Sequence, residues 1–212
     1  ARLADNSLSL KRASLESSIS NCPDIVRNSV SGNIYYVSES GSDSNDGLSE
    51  LKPLKTLYGV SGLSLNAGDA VLFERGGVYR TSKKYTDGSS FILKSGVSYG
   101  AYDKGQKPVI NGSFENYAER KWRKYADNIW YISISNISAG PGVLRVTTTK
   151  NYSYTGCVKE SIDALAREWD FCRDGTNLYM YCQYGEPTNL LNAIEIGFGF
   201  DMFKIDNASD IT

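Results

Sequence analysis

The sequence IYYVSESGSDSNDGLS occupies residues 34–49 and joins a β-forming run to a loop rich in Ser, Asp, Asn and Gly. Aromatic and β-branched residues favour extended structure, whereas the loop residues favour turns. We therefore predict a first strand at 34–37 that ends in a long polar turn. The same alternation of short apolar runs and turn residues predicts further strands at 70–73, 91–93, 97–99, 109–110, 129–132, 143–148, 178–181, 193–196 and 202–205.

Helices are predicted at few places. One begins near Pro53 and continues through Leu57, and another lies around residues 159–167. A third is predicted near the N-terminus, where an apolar stripe of the kind that covers the end of a core is formed by Leu3, Leu8, Leu10, Leu15 and Ile19. Because turns, not regular helices, separate the strands, the pattern argues against a doubly wound α/β fold. A parallel β-helix and a β-sandwich remain, and the strand spacing alone leaves that choice open.

The region from residue 33 to residue 113 resembles the opening of right-handed parallel β-helix proteins of the pectate-lyase-like kind. Four segments carry the resemblance in the expected order: an opening strand and loop at 34–49, a short capping helix at 53–57, a first coil at 67–80, and a second coil at 95–102 that continues through 107–113. The resemblance implies an all-β fold built as a right-handed parallel β-helix, which is a solenoid with an N-terminal capping helix.

Elementary packing arguments agree with this resemblance. The end of a solenoid exposes an apolar core, and a helix that starts at Pro53 covers it when Leu54 and Leu57 turn inward. Glycines at Gly68 and Gly76 supply the tight corners at which the chain changes direction. The last residues, 203–212, resemble a coil that enters its next strand. We therefore expect further coils, from the same protein or from another chain, to stack on them.

A central segment departs from any regular coil. It contains all three tryptophans and a hairpin signal, in which 170–173 and 178–181 flank an Asp174-Gly175 turn. We predict an antiparallel side insertion there. The chain is accordingly divided into an N-terminal helical or irregular extension (1–32), the cap and first coils (33–113), an inserted β-rich subdomain (114–192) and the start of further coils (193–212).

The composition excludes several kinds of chemistry. Histidine is absent, so no Ser-His-Asp triad, Cys-His pair or His-ligated zinc site can form. The net charge is -1, which makes nucleic acid an unfavourable partner. No stretch approaches the ~20 apolar residues that a membrane-spanning helix needs. The resemblance implies a secreted protein, extracellular or at the cell surface.

The four cysteines lack the spacing of a metal cluster or a thioredoxin motif. Cys157, Cys172 and Cys182 lie close together in the sequence, whereas Cys22 lies far from them. A disulfide among the three, with Cys22 joining or free, is one interpretation. Buried, reduced thiols that pack as small apolar groups are an equally weighted alternative.

The function follows from the resemblance alone, because the group includes polysaccharide lyases, glycoside hydrolases, epimerases and surface proteins without known activity. Lyases of this architecture use Lys or Arg as the base and often Ca²⁺, and the hydrolases use pairs of carboxylates. We predict the N-terminal part of an extracellular carbohydrate-active enzyme, a lyase or a hydrolase, whose catalytic residues lie downstream. A non-catalytic adhesion or glycan-binding protein is the alternative. A polysaccharide is the expected partner, calcium is a possible cofactor of the full-length protein only, and no catalytic residue is assigned.

Several residues are candidates for binding groups. The loop oxygens of Asp43, Asn45 and Asp46 are of the type that binds Ca²⁺, but a polar turn is the favoured interpretation. Three acidic residues lie near the C-terminus: Asp201, Asp206 and Asp210. They either line a binding face or are solvated acids in turns, and the second interpretation is favoured. Aromatic rings stack on sugars, but core packing is favoured for Trp122, Trp130 and Trp169. Four glycosylation-type sequences are interpreted as markers of surface turns; they begin at Asn111, Asn136, Asn151 and Asn207.

Overall fold

The computed structural model describes residues 10–15, 17, 30–81, 91–135, 137, 140–198, 202–205 and 209–211. This part of the chain is mostly β-structure with few helices, as the sequence predicts. Every strand expected from the sequence is present within a few residues of its predicted position.

Parallel pairing joins successive passes of the chain in three places. The strands β1 (Ile34–Val37), β2 (Ala70–Glu74) and β5 (Ser98–Tyr102) form one sheet in the order β1-β2-β5. In the same way β3 (Val78–Arg80) pairs with β6 (Val109–Asn111), and β4 (Phe91–Leu93) pairs with β14 (Phe203–Ile205). Each pair is parallel and in continuous register.

Apolar side chains from these strands share one core. Its buried members come from all three places and include Val37, Val71, Phe73, Tyr79, Phe91 and Val97. Glycines turn the chain between strands, since Gly68 and Gly76 have φ values of 92° and 85°. The corners predicted from the sequence are therefore present.

The predicted cap helix starts later than expected. The helix α1 covers Leu57–Ser61, and its N-cap Thr56 accepts a hydrogen bond from the Gly59 N–H at 3.0 Å. Upstream of it, Leu54 forms a parallel bridge with Val37 instead of a helical turn. The side chain of Asp43 accepts hydrogen bonds from the backbone of residues 55 and 56, which holds this segment extended. Leu54 and Leu57 are nevertheless buried in the core, as predicted.

The central segment forms two antiparallel sheets. The first contains β7 (Arg123–Ala126), β8 (Ile129–Ser133), β11 (Phe171–Asp174) and β12 (Asn177–Tyr181) in the order β11-β12-β8-β7. The second contains β9 (Pro141–Thr148), β10 (Ser153–Thr155) and β13 (Leu191–Phe198) in the order β10-β9-β13. A one-turn helix, α2 (Pro187–Leu190), leads into β13.

The two antiparallel sheets share a large apolar core. Its buried members include Leu144, Val146, Phe171, Met180, Ile194 and Ile196. The predicted β11–β12 hairpin is present, with Gly175 at φ 55° between Asp174 and Asn177.

Two sequence predictions differ from the structure in this segment. Residues 193–196 are expected to begin a new coil, but they belong to β13, which pairs antiparallel with β9. Among the described strands that follow β6, β14 is the next one to pair in parallel with another strand. The helix expected at 159–167 is reduced to a 3-10 turn at Ile162–Ala164. Backbone hydrogen bonds between Phe171 and residues 157 and 159 keep the start of that segment extended. The four-segment division of the chain otherwise stays a prediction.

The N-terminal stripe does not cover a core where the structure describes it. Residues 10–15 are helical, but Leu10 and Leu15 are 70% and 64% exposed. The other members of the stripe, Leu3, Leu8 and Ile19, lie outside the described residues. Among the helices that the structure describes, none has the length and apolar character to cross a membrane.

A short segment before β7 protects the edge of β13. The hydroxyl of Ser113 accepts a hydrogen bond from Ile196 N at 3.0 Å, and the Asn116 side chain accepts one from Ile194 N at 3.0 Å. Asn116 also caps a 3-10 turn at Tyr117–Glu119. The two side chains thus accept hydrogen bonds from N–H groups that the edge strand would otherwise leave unpaired. The segment leads directly into a run of basic residues around Trp122, at 120–124.

Candidate functional site

A groove of about 480 Å³ lies on the antiparallel part of the molecule, where the 3-10 turn runs into β7. Its walls come from the turn exit and from three neighbouring strands: Arg120, Lys121, Arg123, Tyr131, Ile132, Ser133 and Asn177. Three of these residues are basic and none is acidic. The volume falls within the range of ~300–1,000 Å³ typical of small-molecule sites.

Strand register places the polar side chains of the groove on one face. Arg123 lies opposite Tyr131, and Ser133 lies opposite Asn177. Because side chains alternate along a strand, this face is the one turned away from Ile132, which packs in the core. Trp122 anchors the turn exit, since it is buried and its indole N–H donates to Tyr117 O at 2.9 Å.

The groove carries positive charge that the described residues do not neutralise. Arg120 forms two hydrogen bonds with the Glu115 carboxylate, at 2.8 and 3.1 Å. In contrast, Lys121 and Arg123 make no ion pair with any residue that the structure describes. The next residue on β7, Lys124, pairs with Asp127 at 3.0 Å and lies opposite Trp130, on the other face. Two cations therefore remain available to a ligand.

Three tyrosines form a row beside these cations. The rings of Tyr131 and Tyr179 are stacked with centroids 5.6 Å apart, and Tyr125 meets Tyr179 edge-on at 5.1 Å. Tyr125 is 55% exposed, whereas Tyr179, whose ring contacts both of the others, is buried. Tyr131 belongs both to the row and to the groove wall. Aromatic surface next to polar donors is the arrangement that binds the apolar face of a sugar ring together with its hydroxyl groups.

A second cluster of polar side chains lies at the ends of the parallel strands. Glu74 and Tyr102 occupy paired positions on β2 and β5, and the hydroxyl of Ser38, just after β1, donates to the Glu74 carboxylate. Burial raises the pKa of Tyr102 to about 12, and the carboxylates of Glu74, Glu50 and Asp103 contribute to the same increase. The hydrogen bond ties β1 to β2, so the cluster stabilises the stack of strands.

The loop residues considered as calcium ligands make the contacts of a polar turn. Asp43 accepts from Lys55 N and Thr56 N at 2.9 Å and from the Thr56 hydroxyl at 2.6 Å. Asp46 accepts from Leu48 N, and the amide of Asn45 donates to Pro53 O. Because these side chains already hold backbone and hydroxyl partners, the set does not fit a calcium ion.

The other candidate acids and aromatic residues are not brought to the groove. Asp201 and Asp206 lie outside the described residues, and Asp210 is exposed and accepts from the Ser209 hydroxyl. Trp122 is buried in the core of the two antiparallel sheets, and Trp130 and Trp169 pack against that core. The prediction that the tryptophans pack in the core is therefore correct.

The described cysteines are unpaired, which contradicts a disulfide among them. Cys172 and Cys182 are buried, Cys157 is exposed, and all three are free. Cys172 lies in β11, opposite Tyr179 of β12. Cys182 directly follows the last residue of β12, so the two cysteines occupy different places in the sheet. Burial raises the pKa of Cys172 to about 11 and that of Cys182 to about 12. Cys22 lies outside the described residues.

The glycosylation-type sequences mark a surface turn at one described position and not at another. Asn151 is exposed with φ 62°, as in a turn. Asn111 is instead the last residue of β6, and its side chain accepts from Ser113 N at 2.8 Å. Asn136 and Asn207 lie outside the described residues.

The sequence contains a signal for the groove that reasoning from composition misses. Four basic residues surround one tryptophan in Arg120-Lys121-Trp122-Arg123-Lys124. The net charge of -1 conceals this local run, because acidic residues elsewhere cancel it. A basic run around an aromatic residue at the start of a strand, with alternate residues on opposite faces, is the available indication.

No protein-family model matches the chain. A lacto-N-biosidase from Bifidobacterium longum subsp. longum is 31% identical over 153 residues, in a match that covers 61% of this chain and 10% of that protein. The chain therefore spans about a tenth of the length of this curated relative.

Solved structures of other proteins share the fold. The structure of XylC in complex with xylose matches with a TM-score of 0.55 at 16% identity and covers 84% of this chain and 34% of that chain. A solved glycoside hydrolase matches with a TM-score of 0.53 at 11% identity and covers 85% and 49% of the two chains. At these identities the structures show a common fold only. The sequence similarity to a lacto-N-biosidase supports the expected class of carbohydrate-active proteins.

Proposed function

We propose that this chain is part of an extracellular carbohydrate-active enzyme built on a right-handed parallel β-helix and allied to the glycoside hydrolases. The observation that carries the proposal is the in-register parallel pairing of β1, β2 and β5, repeated by β3 with β6 and by β4 with β14. Successive passes of one chain that stack strand on strand in several places are the pairing that a solenoid requires.

Hydrolysis is preferred to elimination because the curated relative is a lacto-N-biosidase. Glycoside hydrolysis uses two carboxyl groups and needs no histidine, so the composition permits it. A lyase is the second candidate, and calcium belongs to the proposal only in that case. The proposed reaction belongs to a longer protein, since the chain matches a tenth of its curated relative. Further coils stacked on the parallel strands would carry the catalytic carboxylates.

A non-catalytic glycan-binding or adhesion protein remains the alternative from a different class. The groove favours it, because uncompensated cations beside a tyrosine row are suited to holding a ligand, and the groove walls include no carboxylate for acid catalysis. Glycan binding in the groove is compatible with both hypotheses. They differ in whether the full-length protein turns over any glycan.

Activity of the full-length protein tests the proposal. The protein is incubated with neutral oligosaccharides, aryl glycosides and uronate-containing polysaccharides, and new reducing ends and unsaturated products are measured separately. We expect new reducing ends without unsaturated products, and we expect the protein in the extracellular fraction of its host. Unsaturated products would identify a lyase. No turnover on the whole panel would contradict the enzyme hypothesis and leave the adhesion alternative.

A further inference from the structure

We propose that the groove between the 3-10 turn, β7 and β8 is a binding site for a carboxylate-bearing sugar residue. It lies on the antiparallel sheets, away from the parallel stack to which the proposed function assigns the chemistry. The inference rests on the proposed function in one respect, because it takes the ligand to be a carbohydrate. The negative charge of the ligand follows from the groove itself.

The charge of the ligand is set by two side chains. Lys121 and Arg123 line the groove, are exposed, and have no carboxylate partner within the described part of the chain. The planar guanidinium of arginine matches a carboxylate with two parallel hydrogen bonds, and a lysine adds a point charge. Arg120 is already occupied by Glu115 and forms a wall. A neutral ligand would leave both free cations without a counter-charge.

The sugar character of the ligand is set by the other walls. Tyr131 presents aromatic surface that is fixed by its stack on Tyr179. Ser133 and Asn177, side by side in the sheet, supply hydroxyl and amide groups that can both donate and accept. A pyranose ring has an apolar face and a rim of hydroxyl groups, which the side chains of Tyr131, Ser133 and Asn177 complement. A simple anion would use only the cations.

Nucleic acid is a poorer occupant of the same groove. Binding to a phosphate backbone requires a basic face that extends over many phosphates. Here two free cations lie in one compact groove, and the chain as a whole has a net charge of -1. The groove therefore suits one negative charge on a small polar ring.

Calorimetric titration of the 212-residue chain tests the proposal. The ligands are trigalacturonate and sialyllactose, each paired with its own methyl ester, so that each pair differs in the carboxylate charge and the two arms distinguish a uronic from a sialic acid. We expect at least one carboxylated ligand to bind about tenfold or more tightly than its neutral partner. Lys121→Gln and Arg123→Gln should each weaken that ligand about tenfold. Lys124→Gln, which removes the same charge from the opposite face of β7, should leave the affinity unchanged.

Three results would overturn the proposal. Equal binding of acid and neutral ligands removes the case for a carboxylate. An equal loss in Lys124→Gln and Arg123→Gln means that general charge, not the groove, attracts the ligand. Acetate binding as tightly as the sugar acids, with no effect of Tyr131→Ala, removes the case for a sugar. If the groove binds acidic sugars but the full-length protein cleaves nothing, the inference stands and the proposed function fails. Thermal melting of each variant shows whether it is folded and so excludes unfolding as the cause of a lost affinity.

Discussion

The guanidinium of Arg80 holds the carboxylate of Glu195 with two hydrogen bonds, at 2.6 and 2.9 Å. Arg80 is the last residue of β3 in the parallel part, and Glu195 lies in β13 of the antiparallel part. The pair therefore fastens the two kinds of sheet to each other across 115 residues of sequence. The side chains are 24% and 19% exposed, so solvent screens the contact only in part.

Substitution of either Arg80 or Glu195 should lower the free energy of unfolding. In Glu195→Gln a partly buried guanidinium loses its counter-charge, and we expect a loss of about 1–3 kcal/mol in the free energy of unfolding. Arg80→Lys keeps the charge but loses the two-pronged geometry, so it should cost a smaller amount in the same direction. Urea unfolding followed by tryptophan fluorescence measures both variants.

The exposed pair Lys124–Asp127 is the control for this experiment. Its side chains are 58% and 97% exposed, and an ion pair of that kind contributes about 0.5 kcal/mol or less. Lys124→Gln should therefore unfold at nearly the wild-type urea concentration. A Glu195→Gln variant as stable as Lys124→Gln would contradict the structural role of the Arg80 contact.

Two buried tyrosines should differ in how the protein's stability responds to loss of the hydroxyl group. The one hydroxyl hydrogen of Tyr79 is shared between two backbone carbonyls, Val37 O at 3.0 Å and Glu74 O at 3.1 Å. The hydroxyl of Tyr117 is also buried but has no hydrogen-bond partner among the described residues. Tyr79→Phe should cost about 1–2 kcal/mol in the free energy of unfolding, whereas Tyr117→Phe should be neutral or stabilising, because it removes an unsatisfied polar atom.

Thermal or urea unfolding of the two Phe variants, each with the same atom removed, makes the comparison direct. An equal loss of stability in both would show that the Tyr117 hydroxyl has a partner after all, such as a trapped water. A neutral Tyr79→Phe would show that its two carbonyl contacts contribute nothing to stability.

The strands are predictable because their signals are local. The run at 34–37 and the glycine at Gly68 act through neighbouring residues, and both are where the sequence predicts them. The start of α1 is not predictable in this way, because it depends on Asp43, which binds the backbone of residues 55 and 56 from a separate loop. A contact of that kind leaves no periodicity in the sequence.

The basic run at 120–124 indicates the charge of the groove, but the assembly of its walls is not predictable, for a similar reason. Arg123 meets Tyr131 only through the β7–β8 register, and Ser133 meets Asn177 only through pairing of strands that are distant in the sequence. The direction of β13 escapes prediction because 193–196 has the pattern of a strand in either a coil or an antiparallel sheet. Short apolar runs specify extended structure but not the partner strand.

Gly41 should tolerate no side chain. A Cβ at this position would overlap the carbonyl oxygens of Pro53 and Leu54, which pass against the loop as it closes on β1. Gly41→Ala should therefore cost about 1–3 kcal/mol in the free energy of unfolding. Gly142, exposed in β9, is the control, because a Cβ there would lie 3.7 Å from its nearest neighbour, the carbonyl oxygen of Gly197. Gly142→Ala should change stability little, and equal urea midpoints for the two variants would rule out a close approach at Gly41.

Alkaline pH should destabilise the protein through its buried thiols. Burial, and then the Glu168 carboxylate, raise the pKa of Cys182 to about 12, against 9.0 for an ordinary thiol. The folded chain therefore keeps a proton that the unfolded chain releases, so this contribution to stability is complete below about pH 9 and is lost as the pH rises toward 12. Urea midpoints measured at about pH 8 and about pH 10.5 should fall less in Cys182→Ala than in the wild type. Cys157→Ala, which removes an exposed thiol, is the control and should show the same decrease in urea midpoint as the wild type. An identical pH dependence in all three proteins would mean that Cys182 releases its proton as readily in the folded chain as in the unfolded one.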